Sequence, residues 1–169
     1  MDTSTYLFES VDQLVAHISK MSKNLTPLKL QKSLYLLYAF YGATYGSIVS
    51  NDETDMSMNY PKELVDVKFE AWEYGPVVRE VYFKHKHGEY QSYEDTFEAK
   101  TDEEKDALKF IDELFGQIDE ISDFGLVDRT HQDDSWKNAF ATGTGIGINT
   151  GQIDNKNLVE EYKEKYVKA

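Results

Sequence analysis

His131 stands beside Asp133 and Asp134, an imidazole flanked by carboxylates that can tune a general acid or base. No Ser, Thr or Lys nucleophile stands in a recognisable arrangement with it, so the competing reading is a histidine packed or hydrogen-bonded under Trp136. His85 and His87 can place two imidazoles on one side of an extended segment, but no third metal ligand is positioned and Lys84 and Lys86 repel a cation. Gly143, Gly145 and Gly147 have a phosphate-loop spacing without the following Lys-Ser/Thr or a preceding apolar strand, which leaves a flexible loop as the expectation. Carboxylate pairs one helical turn apart, at Asp102/Asp106 and Asp119/Asp123, arise by chance in a chain with 31 acidic residues. The absence of cysteine excludes disulfides, Cys-ligated zinc, iron–sulfur clusters and thiol nucleophiles. These residues give no catalytic, cofactor-binding or metal set, and a non-enzyme without cofactors is expected.

The elements around them read mostly as helices. Ser10 and Gln13 open an amphipathic helix through Met21, and Thr26-Pro27 opens a central buried helix that is apolar on all sides from Leu34 to Tyr41, with Gly42 loosening it and Gly46 ending it. Residues 47–62 suit a surface loop. Val65, Val67, Phe69 and Ala71 alternate with Asp66, Lys68 and Glu70, predicting a short half-buried strand that Tyr74-Gly75-Pro76 breaks. A helix resumes from Val77 to His87, and a capping box at Thr101 and Glu104 starts a strongly amphipathic helix through Ile118. Ser122 to Thr130 suits a short helix, Ser135 caps a turn carrying Trp136 and Phe140, and Asp154 caps a last helix. The expected class is mainly α, a compact helical domain with a small β element near residues 65–72.

At 169 residues and 40% apolar composition, one domain over residues 1–169 is expected. The net charge of −13 is uneven, because residues 94–134 hold 15 acidic and four basic residues, a local net of −11. This acidic stretch reads either as a solvated helix face or as a docking surface for a basic partner. A pI near 4.7 argues against direct nucleic-acid binding. The N-terminal residues lack the basic region of a signal peptide and no apolar run reaches membrane-spanning length, so a cytoplasmic protein with no membrane partner is expected.

Two stretches carry more specific information. Residues 25–35, Leu-Thr-Pro-Leu-Lys-Leu-Gln-Lys-Ser-Leu-Tyr, and 69–82, Phe-Glu-Ala-Trp-Glu-Tyr-Gly-Pro-Val-Val-Arg-Glu-Val-Tyr, closely resemble the signature of the Panacea antitoxin-domain family, the SocA-like or GepA-like phage-associated proteins. Thr130-His131 through Trp136 resembles that family's Thr-His…Pro-Trp element, with Ser135 where the family usually has proline, and the resemblance covers about residues 10–166. It implies a mainly helical, noncatalytic antitoxin that neutralises a cognate protein toxin by direct binding, with the toxin encoded by an adjacent gene and, in one relative, handed to a protease. The alternative is a phage-encoded anti-defence or regulatory protein that binds a host protein through its acidic surface. Expected partner-binding residues are Trp72, Tyr74, Asp112, Glu113, His131 and Trp136. For the motif aromatics, packing of the small core is the competing role.

Overall fold

The computed structural model describes residues 6–46, 60–143 and 151–167. The expected loop at 47–62 lies mostly outside these residues, as do Gly145 and Gly147 of the glycine-rich loop.

The described residues form seven α-helices and a three-stranded antiparallel sheet: α1 (Val11–Met21), α2 (Pro27–Tyr41), β1 (Phe69–Trp72), β2 (Gly75–Val77), α3 (Arg79–Lys86), α4 (Asp102–Asp119), α5 (Asp123–His131), α6 (Asp134–Thr142), β3 (Gln152–Ile153) and α7 (Asn155–Tyr162). The mainly α expectation holds. Local capping chemistry fixes the helix starts. Ser10, Thr26, Ser122 and Asp154 accept the backbone N–H three residues on, and Thr101 forms a reciprocal capping box with Glu104.

α2 is the hub, buried along nearly its whole length and packed by α3, α4, α5, α7 and β2. Its Tyr35, Tyr38 and Tyr41 are fully buried in body, and each phenol finds a carboxylate or carbonyl: Asp133, Glu63 and the Pro61 carbonyl, all at 2.7 Å. Past Tyr41 the helix loosens at Gly42 into a π-helical turn that runs through Gly46. A Cβ on Gly42 would come within 2.7 Å of Val159, so the small residue admits α7.

The strand region departs from expectation. Val65 and Val67 are buried with Asp66 and Lys68 exposed, as their alternation predicts, but only Phe69–Trp72 joins a ladder. The Val67 carbonyl instead accepts from the Asn155 side chain at 2.7 Å. Tyr74-Gly75-Pro76 does not break the β structure. Glu73 and Tyr74 form a two-residue turn, with Trp72 opposite Gly75, and the chain returns as β2. Proline is tolerated because β2 is the sheet edge in the order β2-β1-β3. Gly75, with φ of +115°, supplies the conformation that an L side chain disfavours.

Candidate functional site: a clamped hairpin

The two signature stretches and the Thr130–Trp136 element meet at the β1–β2 hairpin. Four side chains hold its backbone from below and from the sides. The Trp136 indole N–H donates to the Trp72 carbonyl at 2.9 Å, and His131 Nε2 sits 2.8 Å from the Glu73 carbonyl. The Lys32 amine donates to the Pro76 carbonyl at 3.1 Å. Gln31 grips Val78 at both backbone groups, donating to its carbonyl at 3.3 Å and accepting from its N–H at 2.8 Å, as a neighbouring strand would. Two residues of α2 thus bind the edge strand and its exit, while α5 and α6 bind the turn.

Lys32 is the unusual member. It is fully buried (0% exposed), and among the described residues no carboxylate pairs with it. Burial pushes its ammonium down to about 7. Its stem also fills the space beneath the turn, since a Cβ on Gly75 would lie 2.6 Å from Lys32 Cε and 2.8 Å from Thr130 Oγ1. Glycine at 75 therefore serves both backbone conformation and close packing.

Beside the turn, His131 stacks on Trp136 with ring centroids 4.2 Å apart, and Trp136 stacks on Phe140 at 4.9 Å. His131 is thus a packed, carbonyl-bonded residue, and its neighbours in sequence do not act on it. Asp133 points inward instead, where it is fully buried and accepts from Tyr35, Tyr162 and Arg129. The Arg129 guanidinium lies over the Tyr162 ring at 5.4 Å and over Tyr166 at 4.7 Å. Burial, and then the Asp133 charge, hold the Tyr162 phenol far above its ordinary value, so it stays a donor.

Ser135 is not the cap of α6, because it lies inside the helix and Asp133 occupies the capping position. Both its N–H and hydroxyl donate to Glu161 Oε1, at 2.9 and 2.7 Å, tying α6 to α7. His85 lies in α3 and His87 is its C-cap, so the two imidazoles do not line one side of an extended segment. Among the described residues, no group of three or more His, Asp or Glu side chains is arranged to hold a metal ion. Nor is any helix among them long and apolar enough to cross a membrane.

Four of the six expected partner-binding residues, Trp72, Tyr74, His131 and Trp136, come together at the hairpin. Their exposures differ sharply. Trp72 is 7% exposed; its indole donates to Glu70, its ring packs on Tyr82 at 5.0 Å, and Arg79 lies over it. Tyr74, at the turn, is 56% exposed. Asp112 and Glu113 lie apart from this group on α4. Asp112 bonds His17 Nε2 at 2.7 Å while Asp95 bonds Nδ1 at 2.9 Å, and Glu113 is exposed. Burial opposes charge on His17, but hydrogen bonds from it to Asp112 and Asp95, and their charges, outweigh that and raise its pKa above the ordinary 6.5.

The acidic stretch is therefore partly an internal fastening. Besides Asp95, Asp112 and Asp133, Asp119 accepts from Ser22 and the Lys23 N–H and lies 3.7 Å from the Lys29 ammonium, while Asp123 accepts from Thr26. These contacts bind α4 and α5 to α1 and α2 across more than ninety residues of chain. Sequence reasoning missed Gln31, Lys32 and Asp133. The polar run Lys29, Gln31, Lys32 and Ser33 at the start of a helix that is otherwise apolar was the available signal for the first two.

Residues 55–137 match the family described as antitoxin SocA-like, Panacea domain. That segment, 83 of the 169 residues, holds the hairpin, α3, α4 and α5, reaches Trp136 and takes in the 69–82 and 130–136 stretches, while residues 25–35 lie outside it. No curated protein and no solved structure matches the chain.

Proposed function

We propose that the protein is an antitoxin, acting as a single cytoplasmic domain that neutralises a cognate protein toxin by direct binding. The observation that carries this reading is the Panacea match, which spans the hairpin and the α5–α6 residues that fasten it. A noncatalytic role fits a site in which the imidazole of His131 is bonded to a backbone carbonyl and stacked on an indole. The hairpin suits recognition: its backbone is fixed from four directions, so ordering it on binding requires little entropy. The solvent-facing carboxylates of α4 and α5, with the chain's net charge of −13, steer a basic toxin toward it. The toxin is the product of an adjacent gene, and delivery of the bound toxin to a protease is compatible with this mode.

Expression of the adjoining open reading frame, alone and together with this chain, tests the reading. Growth arrest by the neighbour alone, relieved on co-expression, is expected. A neighbour that is harmless, or one whose toxicity this chain leaves untouched, overturns it.

A further inference from the structure

Two aromatic rings stand out from the described surface. Phe124 is 71% exposed and Tyr74 is 56% exposed. Among the described residues neither ring stacks on another aromatic, although most rings there do, and the Tyr74 hydroxyl has no hydrogen-bond partner. Their placement is related through α5. Phe124, Asp128 and His131 are spaced four and three residues apart, which puts them along one helix face over about 10 Å. The end of that face is where His131 holds the Glu73 carbonyl, immediately before Tyr74. Ile121, 39% exposed, extends the apolar end beyond Phe124. Asp128, on the α5 face between Phe124 and His131, is exposed, and so is Glu73, next to Tyr74 in the turn.

Single exposed apolar residues are ordinary, but here two large rings flank carboxylates on elements that are rigidly braced. Thr26 and Ser22 fasten the start of α5 and the end of α4 to the α1–α2 loop through Asp123 and Asp119, and the hairpin is clamped as described. Aromatic anchors on braced elements are the residues that dominate binding energy at protein interfaces.

We infer that the α5 face from Ile121 and Phe124 to the Glu73–Tyr74 turn is the docking surface for the toxin, and that the toxin presents cationic side chains between two apolar recesses. Charge complementarity selects this occupant: Asp128 lies along the α5 face between Phe124 and His131, and the exposed Glu73 adjoins Tyr74, so a partner burying both rings meets both carboxylates and places Lys or Arg opposite them. The inference rests on the antitoxin reading, keeps the hairpin in the contact surface, and replaces Asp112 and Glu113 on α4 with the exposed face of α5.

The test uses the full chain and the purified, catalytically silenced product of the adjoining gene, with affinity and association rate measured against salt. The double variant Tyr74→Ala with Phe124→Ala keeps the wild-type melting temperature, because both rings are exposed, and loses about a hundredfold or more in affinity. Asp128→Lys slows association about tenfold at low salt, and high salt narrows the difference. Glu113→Lys, on the exposed face of α4 outside the contact surface, slows low-salt association by no more than about threefold and leaves the dissociation rate unchanged. Wild-type binding with the double variant equally tight overturns the surface and leaves the antitoxin reading standing. Absence of binding by the wild-type chain overturns both.

Discussion

Replacing Lys32 with methionine has an effect whose sign depends on pH. Lys32 is fully buried with one hydrogen bond, and its pKa falls from the ordinary 10.5 to about 7 because burial disfavours the ammonium. Between those values the unfolded chain binds a proton that the folded chain does not, so stability contributed by this site rises with pH across that window. Over the full interval the linked free energy is roughly 5 kcal/mol, and between pH 7 and pH 9.5 it is about 3 kcal/mol. At pH 7 Lys32→Met removes most of that penalty while leaving the Pro76 carbonyl unpaired, a loss of about 1–3 kcal/mol. The variant is then more stable than wild type by about 1–3 kcal/mol at pH 7, and the advantage vanishes or reverses at pH 9.5. Urea unfolding of both proteins at the two pH values, followed by circular dichroism, isolates the effect as a difference of differences, so that other titrating groups cancel. Parallel stability curves for wild type and variant would refute the reasoning, because they would place the lysine's charge in contact with solvent.

Other residues give independent checks. His17 acts with the opposite sign: its folded pKa is raised above 6.5, so the Asp95–His17–Asp112 clamp contributes fully below that value and is lost as pH rises through the folded pKa. His17→Gln flattens that part of the melting profile between pH 5.5 and 8, and an unaltered profile contradicts the clamp. Asp133→Ala leaves Arg129 and two phenols without their shared acceptor and lowers stability by about 3–5 kcal/mol in equilibrium unfolding, whereas Asp133→Asn loses less. Gly75→Ala combines a positive φ with a contact of 2.6 Å against Lys32 and destabilises by roughly 1–3 kcal/mol, with faster amide exchange in the hairpin than elsewhere.

What the sequence disclosed was chiefly what short-range chemistry determines. Ser10, Thr26, Thr101, Ser122 and Asp154 mark helix starts because each side chain bonds a backbone N–H three residues away. The strand alternation from Val65 was legible as burial but not as pairing, since a ladder depends on a partner and Asn155 supplies the contact at Val67 instead. Pro76 reads as a breaker until β2 is known to be an edge strand. The acidic stretch looked like one surface because charge counting ignores direction, yet Asp112, Asp119, Asp123 and Asp133 reach partners more than ninety residues away. The site was half visible. Trp72, Tyr74, His131 and Trp136 belong to one cluster, but its donors Gln31 and Lys32 come from a helix forty-four or more residues earlier in the chain, which no local pattern connects to the hairpin.

The central claim is that this chain neutralises a protein by binding it. Co-purification of the chain with the silenced product of the adjoining gene, followed by size-exclusion chromatography with light scattering, tests it most directly. A single peak of defined stoichiometry that persists on dilution to working concentrations is expected. Two separate peaks at the masses of the free proteins, under conditions where both are folded, would contradict it.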